Sequence, residues 1–180
     1  MHSNFQKYFV FIDKFDKLFL DRLPKNIFLI YRIKNNNYNL KTLTKLEHFC
    51  KMKSRKLYIS NNIKLAKKIK CDGIYISAHN KILYKYNQGQ KKNFEVLGAA
   101  HSTNEIVTKQ KQGVNYIFLS PIFKNQKSKK YLDIIKFNLL SLNTKSRIIA
   151  LGGINNDNMK KLIMTNCIGL AAINFFKNEY

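Results

Sequence analysis

The stretch Arg147-Ile148-Ile149-Ala150-Leu151-Gly152-Gly153-Ile154-Asn155 carries the reading of the fold. Its first five residues make a short, nearly continuous apolar run, the pattern of a strand buried on both faces in a parallel sheet. Two glycines follow, and the chain passes at Asn155 into a segment with helical spacing. Strand, tight turn and helix in immediate succession are the unit of an α/β fold. Glycine lets a backbone approach an anion closely, and a helix N-terminus offers unbonded N–H groups to a phosphate. The same turn also serves a strand–helix connection that holds no ligand.

The pattern repeats outward from this stretch. Apolar runs occur at Tyr8–Ile12, Ile27–Tyr31, Leu57–Ile59, Gly73–Ile76, Glu95–Ala99, Tyr116–Leu119, Arg147–Leu151 and Gly169–Ile173. Segments with helical spacing lie between them. Leu40, Leu43, Leu46 and Phe49-Cys50 form one apolar stripe, and Ile63, Ala66 and Ile69 a second. Ile106 with Gln110, stopped at Gly113, marks a third; Ile134-Ile135, Phe137-Asn138 and Leu140 a fourth. Asn155–Thr165 is a fifth, with Met159, Leu162 and Ile163 on one face. Asn61, Thr103 and Asn155 are the expected N-caps. Eight strands alternating with helices give an α/β chain, and eight is the number that closes a (β/α)8 barrel. An open doubly wound sheet is the alternative. The whole fold normally takes about 250 residues. This chain has 180, so the loops are expected to be short and the last helix, after Asn174, truncated. Residues 1–180 are expected to form one domain, with no linker between runs.

Composition narrows the function. The chain is 45% hydrophobic, enough to build a core. It carries 33 Lys and Arg against 10 Asp and Glu, a formal charge of +23. Such an excess attracts phosphates, nucleic acid or an anionic membrane surface. The lysines are spread along the whole chain, however, and no nucleic-acid motif accompanies them. Abundant Lys, Asn and Ile together are also what an AT-rich genome produces. Three widely spaced cysteines, Cys50, Cys71 and Cys167, signal neither a disulfide framework nor a zinc site. No secretory leader is evident after Met1, and no apolar run nears a membrane span. A reduced, cytoplasmic setting is expected.

Two further segments share the character of the first. Gly169-Leu170-Ala171-Ala172-Ile173-Asn174 is another small-residue strand end, and in a barrel strands seven and eight commonly build a phosphate site together. Leu119-Ser120-Pro121-Ile122-Phe123-Lys124 leads into a basic loop, where Lys127, Lys129 and Lys130 either clamp an anion or form a solvated charge run. Ala-Leu-Gly-Gly-Ile-Asn at 150–155, Ser-Pro-Ile-Phe at 120–123 and Gly-Ala-Ala-His-Ser at 98–102 resemble, in order and spacing, the thiamine-phosphate synthase and TenI family. The resemblance is weak before Leu57 and good from Gly98 to Ile173. It implies a compact (β/α)8 TIM barrel. It also implies a transferase of thiamine biosynthesis that joins hydroxymethylpyrimidine pyrophosphate to thiazole phosphate, releases pyrophosphate and uses Mg²⁺. TenI-type relatives instead tautomerise a thiazole or bind one, with no metal.

The resemblance carries over residue by residue. The family's basic Arg-x-Lys pair after the second strand is Arg32-Ile33-Lys34, an expected pyrophosphate contact, whereas the Gln that usually precedes it is Ile30. The two aspartates that hold magnesium fall at Asn61 and Asn80, so both metal positions have lost their carboxylates. The Ser after strand five falls at Ala100, beside His101, and the Thr after strand six at Asn125. The phosphate-binding backbone positions, Gly152-Gly153 and Ile173-Asn174, match. Asn125, Lys127 and Lys129 join them as substrate contacts. Mg²⁺ prefers an octahedral oxygen shell with one or two carboxylates, and an amide oxygen is a weaker, neutral ligand. Without metal, cations such as Arg32, Lys34 and Lys129 would have to stabilise the departing pyrophosphate.

His101 stands at a strand end, where barrel chemistry lives, and histidine is the side chain suited to acid–base work near neutral pH. It is the candidate acid–base for a tautomerase, although the family's histidine aligns with Ser102, one residue on. A packing histidine is the plainer alternative. The expected partners are small phosphorylated pyrimidine and thiazole molecules, not a membrane or nucleic acid. A homo-oligomer stays open.

Overall fold

The computed structural model describes residues 5–33, 37–83, 93–125, 130–142, 144–172 and 175–179. In chain order the elements are β1 (Lys7–Ile12), α1 (Lys17–Arg22), β2 (Ile27–Tyr31), α2 (Leu40–Met52), β3 (Leu57–Ser60), α3 (Ile63–Lys68) and β4 (Gly73–Ile76). There follow β5 (Glu95–Ala100), α4 (Thr103–Lys111), β6 (Tyr116–Leu119), α5 (Asp133–Leu142), β7 (Arg147–Leu151) and α6 (Asn156–Met159). A 3-10 turn (Lys160–Met164), β8 (Gly169–Ala172) and α7 (Phe175–Glu179) complete the chain. Each strand pairs in parallel with its sequence neighbours, and β8 closes onto β1 through Lys7–Gly169 to Val10–Ala172. The barrel is therefore closed, and the open sheet is excluded.

The apolar runs are continuous because both faces of every strand are covered. Side chains alternate between the barrel interior and the helix layer. Phe9 and Phe11 point inward with Ile30, Tyr58, Tyr75, Leu97, Tyr116, Phe118 and Ile149. Tyr8, Val10 and Ile12 point outward with Leu29, Leu57, Ile74 and Ile148 against Leu43, Leu46, Ile106, Phe137 and Leu162 of the outer layer. Branched aliphatic residues fill most such barrels. Here aromatic rings do so. Phe9 packs on Phe118 at 4.9 Å, and Phe11 on Tyr75 at 5.1 Å, both edge to face. Small residues in register beside them, Ala171 next to Phe9 and Ala99 next to Phe118, make room for them.

The helices depart from the sequence reading in informative ways. Asn62, not Asn61, caps α3, accepting from Leu65 N at 2.9 Å. Ser102, not Thr103, caps α4, accepting from Glu105 N. Asn155 caps α6 as expected, within a reciprocal box with Asn158. The expected helix over 155–165 is one α turn followed by a tighter 3-10 turn, which rotates Ile163 outward to 76% exposure while Leu162 stays buried. The stripe of α4 runs through Ile106 and Lys109, not Gln110, which faces solvent. Ile135 of α5 is 72% exposed, and Phe137 and Ser141 are the residues that α5 buries. α1 was not expected: it buries only the adjacent pair Phe19 and Leu20, which shows no helical period. α7 is the short closing helix.

Candidate functional site

In a closed parallel barrel all strands end on one side, so the loops after them share one mouth. Three of these loops are tied together. Ile122 N donates to Leu151 O at 3.0 Å, and Phe123 N to Gly152 O at 3.1 Å, so the loop after β6 lies across the loop after β7. His101, after β5, reaches the same loop, with Nδ1 2.6 Å from Ser120 O and 3.2 Å from Ser120 Oγ. A carbonyl only accepts, so Nδ1 carries the proton and Nε2 is the acceptor nitrogen on an exposed ring. His101 N donates to the Glu105 carboxylate at 2.6 Å, which fixes the start of α4.

The two glycines answer to crowding. Gly152 has φ +92° and Gly153 φ +73°, a backbone region that side chains rarely adopt. A Cβ at Gly153 would lie 2.3 Å from Phe123 O and 2.6 Å from Lys124 O. One at Gly152 would meet Pro121, with Asn125 Nδ2 3.7 Å away. Asn125 and Gly152 are therefore neighbours at the mouth. The α-helix beyond is only four residues long, so its dipole is small, and any anion here relies on loop backbone more than on that helix.

On the opposite side, Arg32 N–H donates to Ile12 O at 2.8 Å and starts the loop after β2. Its exposed guanidinium stands 6.0 Å from the centre of the Phe11 ring, capping the interior aromatic stack at the mouth. Tyr38 donates its hydroxyl to Ser60 O, and burial pushes that phenol up to about 12, so it acts as a donor and not as a base.

Asn61 and Asn80, the positions expected to correspond to the family's metal-binding aspartates, are adjacent. Asn61, held at φ +56°, accepts at Oδ1 from Ser77 N at 2.9 Å, Ser77 Oγ at 3.1 Å and Asn80 Nδ2 at 3.3 Å. Asn80 Oδ1 accepts from Ile82 N at 3.0 Å. His79 Nε2 lies 3.1 Å from Ser77 Oγ. Beneath this cluster is a residue that the sequence reading missed. Lys109 is wholly buried, and its ammonium donates to Ser77 O at 2.8 Å, Asn80 O at 2.8 Å and Gln112 Oε1 at 2.9 Å. Gln112, 2% exposed, donates in turn to Asn80 O and Ile82 O at 2.9 and 2.8 Å. Burial lowers the Lys109 ammonium to about 8. The signal was present: a lysine three residues after Ile106, on the face where α4 should be apolar.

These residues do not fit magnesium. The Asn61 amide oxygen is already committed to three donors, neither position is a carboxylate, and an ammonium occupies the carbonyls behind Asn80. Among the described residues no cluster of three or more His, Cys, Asp or Glu could hold a metal. Of the expected site residues, Arg32, Asn61, Asn80, His101, Asn125, Gly152 and Gly153 all lie at the one mouth. Lys34, Lys127, Lys129, Ile173 and Asn174 lie outside the described residues. Among the described residues no helix is long and apolar enough to cross a membrane.

Comparison with known proteins agrees with this architecture. Residues 23–176 match the family model described as thiamine monophosphate synthase (TMP-TENI). A thiamine-phosphate synthase of Prochlorococcus marinus is 28% identical over 151 residues, covering 80% of this chain and 43% of that protein. One from Bacteroides thetaiotaomicron is 24% identical over 135 residues, covering 70% and 64%. The chain thus spans less than two thirds of the length of either relative. Among solved structures, thiamine phosphate pyrophosphorylase from Pyrococcus furiosus superposes with a TM-score of 0.74 at 17% identity, over 95% of this chain and 87% of that one. That likeness is one of fold, and the family match over most of the chain supplies the rest: the chain belongs to the thiamine monophosphate synthase family.

Proposed function

We propose that this chain joins a hydroxymethylpyrimidine pyrophosphate to a thiazole phosphate, releasing pyrophosphate. The observation that carries the reading is the meeting of three family-like segments, 98–102, 120–123 and 150–155, at one mouth through the His101–Ser120, Ile122–Leu151 and Phe123–Gly152 bonds. In this reaction the thiazole nitrogen attacks the pyrimidine's exocyclic methylene. A C–N bond forms, the C–O bond to pyrophosphate breaks, and the oxygen leaves with the electron pair. No proton has to move at the reacting carbon, so the protein's task is orientation and stabilisation of the leaving anion. Arg32 meets that need at the mouth with a permanently charged, planar donor. The loops after β6 and β7 bring backbone close enough to hold the thiazole phosphate, because Gly152 and Gly153 keep side chains out of the turn. Mg²⁺ plays no step in this scheme.

A second reading is supported by one observation. His101 has Nδ1–H fixed on Ser120 O, which leaves Nε2 on an exposed ring to shuttle a proton in thiazole tautomerisation. One experiment separates the readings. The 180-residue chain is given both phosphorylated substrates, and thiamine phosphate and pyrophosphate are quantified. Equal amounts of both products support coupling. No product, with calorimetric binding of thiazole phosphate retained, moves the chain to the tautomerase or binding class. His101→Asn should then abolish isomerisation while sparing affinity if the tautomerase reading holds.

A further inference from the structure

A buried ammonium is costly unless its donors are met. Lys109 meets that cost with three oxygens within 2.9 Å, and two of them are the backbone carbonyls of Ser77 and Asn80. The same two residues bond Asn61 from the other side, through Ser77 N, Ser77 Oγ and Asn80 Nδ2. The segment after β4 is thus clamped between a neutral amide facing the mouth and a cation behind it. Gln112 completes the clamp by accepting from Lys109 and donating to Asn80 O and Ile82 O. Strand β5 is shaped for this arrangement. A Cβ at Gly98 would fall 2.8 Å from Val114 Cγ1, 2.9 Å from Lys109 Cδ and 3.3 Å from Lys109 Cγ, so glycine here makes room for the lysine stem and for Val114 together.

We propose that Lys109 stands in for a bound divalent cation: it is a positioning residue whose fixed charge holds Ser77–Ile82, and with them the Asn61–Ser77–His79–Asn80 cluster, in place without metal. The loss of two carboxylates and the presence of a buried cation are then one change. Carboxylates at 61 and 80 together with an ammonium behind residue 80 would make an ion pair, and neutral amides with that ammonium make a settled, metal-free network. The inference does not depend on which reaction the mouth performs.

The test couples the lysine charge to metal affinity. Mg²⁺ is titrated calorimetrically into the wild-type chain, into Asn61→Asp/Asn80→Asp, and into the same double variant carrying Lys109→Met. The wild type is expected to give no binding heat at millimolar Mg²⁺. The triple variant is expected to bind Mg²⁺ at least about fivefold more tightly than the double variant. Amide exchange of residues 77–82 should accelerate in Lys109→Met alone, while that of β1 and β7 stays unchanged. Magnesium binding by the wild type overturns the proposal. So does equal affinity of the double and triple variants, since an ammonium bonded to the carbonyl of residue 80 has to oppose a divalent ion at that position. If the Met variants fail to fold, Lys109→Gln, which keeps amide donors without the charge, carries the same comparison. Gly98→Ala, which displaces the lysine stem, should then reproduce the faster exchange at 77–82, and unchanged exchange there counts against the clamp.

Discussion

Gly153 is the residue on which the mouth is most tightly built. Its φ of +73° and the carbonyls of Phe123 and Lys124 on the missing Cβ leave no room for a side chain. Strain in the left-handed region costs about 1–3 kcal/mol, and displacement of the loop after β6 adds to it. Gly153→Ala should therefore lose about 3 kcal/mol or more of unfolding free energy in a urea titration. A loss below about 1 kcal/mol would mean that the loops are not packed as described. The glycine pair was legible in the sequence as a turn, and its contact with residues 121–124 was not, because that partner belongs to another loop. Lys109 shows the opposite failure. Its signal, a lysine on the apolar face of a helix, was there to be read, but a lone charge among many lysines carries no weight until the helix face is known. Arg32 was read from the family pattern alone, and its place over Phe11 came only with the barrel.

The strands were the most legible elements. Four of the eight runs, 27–31, 73–76, 116–119 and 147–151, have the boundaries that their apolar composition predicts, and the others differ by one residue where both ends are described. Burial on both faces makes each strand a nearly continuous apolar word. Helices were less legible because only one face is buried and several are short. The 155–164 segment illustrates this. Asn155 and Leu162 were identified correctly, yet the 3-10 turn rephases the residues between, so Ile163 points to solvent. Such a short segment depends on its cap and its one buried residue. Asn155→Ala should cost about 1 kcal/mol. Leu162→Ala, at a fully buried side chain, should cost about 2–5 kcal/mol. Both are read from chemical denaturation, and an order reversed between the two would place the anchor of this segment in the cap and not in the core.

At the scale of the molecule, the +23 charge is met by acids in pairs such as Lys14–Asp16, Lys53–Asp21 and Lys56–Glu95. The last of these closes the barrel floor, opposite the mouth. Glu95 accepts from Lys56 at 2.9 Å and from the Tyr58 hydroxyl, while Lys7 and Lys56 stand over the Phe28 ring. Burial alone would raise the Glu95 carboxyl, but the Tyr58 and Lys56 bonds outweigh it and hold it below the ordinary glutamate value of 4.5. A carboxyl lowered in the fold adds stability that is present above its unfolded value and lost as pH falls through the folded one. Glu95→Gln should be less stable than wild type by about 1–3 kcal/mol at neutral pH. That gap should narrow below about pH 4.5, and parallel stability curves would contradict the assignment. Nothing in composition foretold this floor, because it joins residues from β1, β2, β3 and β5. The central claim concerns the other end: a mouth with the family-like loops, neutral amides at Asn61 and Asn80, and a cation built in behind them. Its most direct test is the rate of thiamine phosphate formation from the two phosphorylated substrates after exhaustive chelation, compared with the rate after Mg²⁺ is restored. Equal rates are predicted. Product that vanishes on chelation and returns with Mg²⁺, or no product under either condition, would contradict the account.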